Sequence, residues 1–275
     1  MIMFKKKLDN PVFINIAGYT IKIIFKKADF SYLRKQFIRK FYLHYGKFIA
    51  KDEEKKPAYE IIVIQKARIK TIINYKKTDE YMIYCEYINI HSLVTYYYLS
   101  MFQFQIILKN ILLYLLKNSG FILHASACVY DNHAYIFIGK PNSGKSTTIK
   151  LLNKSFRAIA DDSIIIKKVN KSFSCYQTPF LEKEYWIKKS PEKFAISKIF
   201  FLCKENIFLT KQLLDKNKIA NLIIEQVLSG EKMHHASQLK IMLDFVNSFN
   251  NFYFLNQYNN HKKLKNYILV SKNKN

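Results

Sequence analysis

Gly139, Gly144, Lys145 and Ser146 stand in the order and spacing G-x-x-x-x-G-K-[ST]. Each residue type has a physical task in holding phosphate. The glycines let the backbone turn sharply and bring its N–H groups around anionic oxygens. The Lys145 ammonium brings a compact charge to the outer phosphates, and the Ser146 hydroxyl is a ligand for Mg²⁺. A helix that starts here points its free N–H groups and the positive end of its dipole at the same anion. Gly139, Asn142, Ser143, Gly144, Lys145, Ser146 and Thr147 are therefore the expected nucleotide-binding residues. The chain has only six glycines, and two of them fall at the two required positions. The motif also needs a strand before it and a helix after it. The apolar run 134–138 and the segment 145–153 supply both.

Asp161 and Asp162 end the segment that follows this helix. A carboxylate returning on a neighbouring strand can hold Mg²⁺, directly or through water. Two adjacent carboxylates at a loop allow one to reach the metal while the other takes a proton from an incoming hydroxyl. The competing reading is a solvent-exposed strand cap. His124 stands alone in an apolar run, where histidine is more often a satisfied core residue than a reactive one. His234-His235 lacks a third metal ligand, and His44, His91, His133 and His261 have no local constellation.

The surrounding pattern supplies the elements that must position these groups. Strands are expected at 11–26 in two arms around Gly18, then at 58–65, 68–75 and 81–88. A helix is expected at 28–41, a charged loop at 45–57 and mainly helix over 92–118. Residues 121–130 read as one apolar strand, followed by a turn at Asp131-Asn132. Further strands are expected at 157–160, 163–169, 173–177, 198–203 and 206–209, and helices at 217–229 and 236–248. There is no internal repeat and no linker. The working division is 1–118, an α+β region, 119–270, the nucleotide-binding region, and a frayed basic tail at 271–275.

Bulk composition narrows the function classes. The net charge of +25 comes from 45 Lys and Arg against 20 Asp and Glu. Arginine stands only at 34, 39, 68 and 157. Nucleic-acid readers concentrate charge on one face and favour arginine for bidentate phosphate contacts. Here lysine is spread along the whole chain, so dedicated nucleic-acid binding is not expected. The four cysteines have no metal-ligand spacing and fit a reducing compartment. The start MIMFKKKLDN has no apolar core of signal-peptide length. The run 96–116 is interrupted by Gln103, Gln105, Lys109 and Asn110, which argues against a membrane span. A cytoplasmic protein is expected.

The run GFILHASACVYDNHAYIFIGKPNSGKSTTIKLLNKSFRAIADDSIIIKK resembles the catalytic core of HPr kinase/phosphorylase and its kinase-like relatives. That fold is in turn related to the nucleotide-binding part of phosphoenolpyruvate carboxykinase. The likeness lies in a histidine in a strand, a second strand, the loop, a helix, and a strand ending in Asp-Asp. Looser likeness extends through Thr178-Pro179-Phe180 and over 196–210 and 239–269. Residues 1–110 are similar instead to the shorter leader domain of the HPr-kinase-like proteins. The resemblance implies an α/β fold, a mixed sheet with a strand-loop-helix core, plus a smaller α+β N-terminal region. It implies a kinase that uses ATP, or another nucleoside triphosphate, and Mg²⁺ to phosphorylate a Ser-like hydroxyl on a protein, peptide or small molecule. Carried over by position, Asp161 is the acid/base residue and Lys145 assists transfer. His124 lies near the transferring phosphoryl group. Ser146 and Asp162 hold Mg²⁺, with Glu184, or Glu182, as a further metal contact. A homo-oligomer is left open.

The chain departs from that family in one respect. It has no arginine after Arg157, so the glycine-rich signature with a catalytic arginine is missing. Lys183, Lys188 or Lys189 can replace the charge but not the bidentate geometry. Two other readings stand beside the kinase. One is a non-catalytic ATP- or GTP-binding regulator or scaffold. The other, favoured by charge alone, is a nucleic-acid-associated NTPase.

Overall fold

The computed structural model describes residues 10–29, 31–50, 56–65, 71–74, 79–82, 84–203, 210–228, 235–256 and 261–270. The strand expected at 206–209, parts of those at 68–75 and 81–88, His234 and the basic tail lie outside these residues. The chain divides into two compact units, Met1–Leu115 and Leu116–Asn275.

In the first unit, β1 (Val12–Ile16), β2 (Tyr19–Phe25), β3 (Tyr59–Ile64), β6 (Cys85–Asn89) and β7 (Ser92–Tyr96) form one sheet of order β1-β2-β3-β7-β6. The inner pairs β2–β3 and β3–β7 are parallel, and the outer pairs antiparallel. Two further strands, β4 (Thr71–Asn74) and β5 (Asp79–Met82), pair with each other and, among the described residues, with no other strand. Helices α1 (Ser31–Tyr45) and α2 (Met101–Leu116) share an aromatic core. Phe41 meets Phe25 and Phe104 edge-on at 5.4 and 5.8 Å, the geometry that ring quadrupoles favour. The segment 92–118 is mainly helical, as expected, but not at its start. Residues 92–96 are a strand because Leu93, Thr95 and Tyr96 are needed in the sheet, and the helix begins only at Met101.

The second unit is built on one ten-stranded mixed sheet. Its central parallel strands are β10 (His133–Ile138), β14 (Lys193–Cys203) and β17 (Phe252–Asn256). Beyond β10 lie β9 (Ser126–Tyr130) and β11 (Arg157–Ala160). The eleven-residue β14 forks the sheet on its other edge. Its first residues pair with β13 (Ser172–Gln177), which continues to β12 (Ile164–Val169), β8 (Gly120–Leu123) and β16 (Val227–Leu228). Its later residues pair with β17, which carries β15 (Thr210–Gln212). Alternation along β10 serves two cores. Ile136 and Ile138 face a cluster with α4 (Lys216–Ile224) and α5 (His235–Ser248), through Ile219, Ile223 and Phe245. Tyr135 and Phe137 face a cluster with α3 (Lys145–Leu152) and α6 (His261–Val270), through Ile149, Leu152, Leu264 and Ile268. The mixed sheet with a strand-loop-helix at its centre, plus a smaller α+β unit, is the fold class that the sequence implies.

A second correction bears on the site. Residues 121–130 are not one strand. β8 and β9 are separate strands in different parts of the sheet, joined only by His124 and Ala125. The chain crosses the same gap again between β11 and β12, through Asp161, Asp162 and Ser163. The two crossings run side by side: the Ala125 N–H donates to Asp162 O at 3.2 Å. Points where neighbouring strands diverge leave a crevice that ligands can enter. The β10 strand ends at the same level, with Phe137 opposite Ser126.

Candidate active site

The loop between β10 and α3 is held by its own backbone. Gly144 has φ 96° and caps the helix, and Asn142 has φ 63°. Positive φ is free for glycine and tolerated by asparagine, so both fit their positions. The Thr148 N–H and hydroxyl each reach Gly144 O at 2.9 Å. Gly139 is required for space: a Cβ there would lie 2.5 Å from Ser143 Oγ. The Lys145 ammonium folds back onto the loop, donating to Gly139 O at 2.6 Å and Lys140 O at 3.2 Å. Burial and the nearby Lys183 hold its pKa below the ordinary lysine value, while Asp161 and Asp162 oppose that shift.

Asp161 is 4% exposed. The Ser126 hydroxyl lies 3.0 Å from both its main-chain oxygen and its Oδ1. Its Oδ2 is buried and has no hydrogen-bond partner among the described residues. A buried carboxylate oxygen left unpaired is costly, and such atoms mark places where an additional group is accommodated. The Asp161 and Asp162 N–H groups both donate to Glu182 Oε2, at 2.8 and 3.0 Å. Glu182 Oε1 pairs with Lys189. His124 is placed by its own backbone N–H, which donates to Gln226 O at 2.8 Å. Its Nδ1 stands 3.5 Å from Asp162 Oδ1.

These groups surround a polar cavity of about 410 Å³. Its walls are Pro141, Asn142 and Gly144 to Thr147 of the loop, with His124, Asp161 and Lys183 opposite. The structure thus brings together His124, Asn142, Gly144, Lys145, Ser146, Thr147 and Asp161. Asp162 sits beside them, paired with His124, and Gly139 lies under the Lys145 ammonium. Ser143 is directed elsewhere: it is buried, its Oγ has no partner among the described residues, and it does not line this cavity. Glu184 is not at the cavity. It pairs with Lys150 at 2.7 Å and accepts from Trp186 Nε1 at 2.8 Å. Those two bonds, Lys150 first, hold its pKa below the usual carboxylate range. Among the described residues no group of three or more His, Cys, Asp or Glu side chains is arranged to hold a metal ion. The thiols of Cys128 and Cys175 are structural. Burial raises both, that of Cys175 to about 12.

Three residues carry more than the sequence suggests. Ser126 orients Asp161, yet a serine opening an apolar strand has no distinguishing signal. Glu182, read from sequence as an alternative metal contact, instead anchors the Asp161-Asp162 backbone. Of the three lysines considered for the missing arginine, Lys183 lines the cavity, Lys189 is buried against Glu182, and Lys188 O accepts from Gln177 Nε2 at 3.1 Å. The lysine-rich segment 183–189 was legible, but not which lysine faces the site.

No family model matches the chain, and no curated protein matches it. Among solved structures, the Hpr(Ser) kinase/phosphatase from Coxiella burnetii is similar to part of it, with 14% identity and a TM-score of 0.25. The match covers 46% of this chain and 88% of that one. At that score the likeness carries no argument, and the reading of the site rests on the geometry of its own residues.

Proposed function

We propose that this chain is an ATP- and Mg²⁺-dependent kinase that transfers a phosphoryl group to a hydroxyl acceptor. One observation supports this reading most strongly. A buried carboxylate with an unpaired oxygen, Asp161 Oδ2, belongs to a residue lining the same cavity as a lysine and a helix N-terminus. Phosphoryl transfer demands mainly positioning and charge neutralisation. The loop N–H groups, the α3 N-terminus, Lys145 and Lys183 neutralise the triphosphate. Asp161 accepts the proton of the acceptor hydroxyl. His124, oriented by Gln226 O and Asp162, supports the transferring group. The Ser146 hydroxyl and the Asp162 carboxylate would hold Mg²⁺, which ordinarily takes only one or two protein carboxylates beside water and phosphate oxygens. When bound, Mg²⁺ offsets phosphate charge and orients the outer oxygens. Glu184, tied to Lys150 and Trp186, stays outside that set.

The competing reading is a nucleotide-binding regulator without turnover. The absence of any arginine after Arg157 favours it. Asp161→Asn separates the two. In a kinase, the variant binds nucleotide while phosphoryl transfer falls at least about a hundredfold, the range for loss of general acid–base catalysis. If transfer or hydrolysis is undetectable in the native chain with any hydroxyl acceptor, the regulator reading replaces the kinase.

No helix among the described residues is long and apolar enough to cross a membrane. The four cysteines form no disulfide. A cytoplasmic kinase is part of the same proposal.

A further inference from the structure

His124 is held more closely than a supporting charge requires. The chain reaches it from β8, where Leu123 pairs with Ile164 on one side and Val227 on the other. It leaves through Ala125 into β9, where Ser126 stands opposite Phe137. Between those ladders the His124 N–H donates to Gln226 O at 2.8 Å, and the Ala125 N–H to Asp162 O at 3.2 Å. A ring carried on so short and doubly tied a crossing starts close to one fixed position, the condition that transfer chemistry rewards.

The two ring nitrogens stand in different surroundings. Nδ1 is 3.5 Å from Asp162 Oδ1, and the side chain is 30% exposed. A carboxylate on that side favours the tautomer with its proton on Nδ1, which puts the lone pair on Nε2. Nε2 has no hydrogen-bond partner among the described residues.

His124 shares the polar cavity with Lys145, Ser146, Thr147, Asp161 and Lys183. The Lys145 ammonium carries no lone pair and donates to two loop carbonyls. The Ser146 and Thr147 hydroxyls would have to lose a proton before attacking phosphorus. Nε2 attacks with the lone pair it already holds, and histidine is among the side chains that form covalent intermediates.

We infer that His124 Nε2 takes the γ-phosphoryl group itself, so that the chain passes through a phosphohistidine. The inference rests on the phosphoryl-transfer reading and gives His124 a covalent part in it. In the first step Nε2 bonds to the γ-phosphorus. The bond from that phosphorus to the β,γ-bridging oxygen breaks, and its electron pair leaves with ADP. No proton moves, and Asp162 offsets the positive charge gained by the ring. In the second step the acceptor oxygen bonds to the same phosphorus, the N–P bond breaks, and its electron pair returns to Nε2. The hydroxyl proton passes to Asp161. ADP leaves before the acceptor enters, so one cavity serves both in turn, the ping-pong pattern.

The first step is tested without the acceptor. The full chain is incubated with ATP, Mg²⁺ and labelled ADP, and the label that returns in ATP is measured. A reversible phosphohistidine predicts exchange. Mass spectrometry of the chain, quenched in alkali, is expected to place one phosphate on His124. The bond should survive alkali and be lost in acid. His124→Gln, with its fold verified by circular dichroism, should lose both exchange and phosphate. His124→Asn gives the same readout if the first variant does not fold, and the position of the phosphate on the native chain decides without either.

Exchange that persists in a folded variant overturns the inference. So does a phosphate found on Asp161, Lys145 or Ser146. The two readings fail separately. ATP turnover with neither exchange nor phosphate on the chain means direct transfer, which removes the phosphohistidine and leaves the kinase. ATP binding with no exchange, phosphate or turnover removes both and leaves the regulator.

Discussion

Glu182 Oε2 accepts the backbone N–H of Asp161 at 2.8 Å and that of Asp162 at 3.0 Å. Two successive N–H groups on one carboxylate oxygen fix the peptide plane from which both aspartate side chains project. The other Glu182 oxygen pairs with Lys189, and the two side chains are 4% and 14% exposed. Burial lowers the Lys189 pKa, and Glu182 and Asp162 pull it back. The acidic pair of the site therefore hangs from a buried ion pair.

Glu182→Gln leaves the Lys189 ammonium buried without its counter-charge. The expected loss of stability is about 3–5 kcal/mol, the range for breaking a buried pair from one side. Adding Lys189→Met should recover much of that loss, because the uncompensated charge is gone. Urea unfolding of the single and double variants measures the coupling. Strictly additive effects would show that the pair does not act as a unit.

Lys145 gives a pH dependence with a definite sign. In the free protein its pKa lies below the ordinary 10.5. A bound triphosphate favours the charged form and raises that value again. Binding then takes up a proton once the pH exceeds the lowered pKa. Affinity for ATP is expected to fall with rising pH, by up to about tenfold per unit, in a window that opens below 10.5. Lys145→Arg, which stays charged, should flatten the profile. A flat native profile up to 10.5 would contradict the role given to Lys145.

Gly139→Ala is expected to weaken nucleotide binding through crowding rather than lost charge. The new methyl group would lie 2.5 Å from Ser143 Oγ and 3.0 Å from its Cβ. Ser143→Gly removes both atoms, so the double variant should regain affinity that Gly139→Ala loses. Titration of ATP into the three variants tests this. Equal loss in the single and double variants would place the crowding elsewhere.

Glu184 separates sequence proximity from function. With its carboxylate engaged by Lys150 and Trp186, Glu184→Gln should leave Mg²⁺-dependent turnover within about twofold. Loss of even an outer partner of a metal ligand costs 10–100-fold or so. A loss of that size would return Glu184 to the metal set.

The legible and illegible parts of this chain differ in physical kind. The Gly139–Ser146 loop could be read because its chemistry is local: glycine, lysine and serine do their work within one strand-helix turn. The β10–α3 frame follows from apolar periodicity on each side of it. The break at His124-Ala125 could not be read, since both arms are largely apolar and only the sheet order separates β8 from β9. Residues 92–96 read as helix because Tyr96, Tyr97 and Leu99 suit either element until the sheet claims the first of them. Glu182 and Ser126 owe their roles to long-range contacts with Asp161, which no spacing rule reports. The same holds for Lys183 against its neighbours Lys188 and Lys189.

The central claim is that the loop between β10 and α3 holds nucleoside triphosphate. Calorimetric titration of ATP with Mg²⁺ into the native chain and into Lys145→Ala tests it most directly. The account predicts saturable one-site binding to the native chain and a loss of at least about tenfold, or 1.4 kcal/mol, in the variant. Absence of binding to the native chain, or equal affinity in the two, would contradict the phosphate-loop assignment and every functional step built on it.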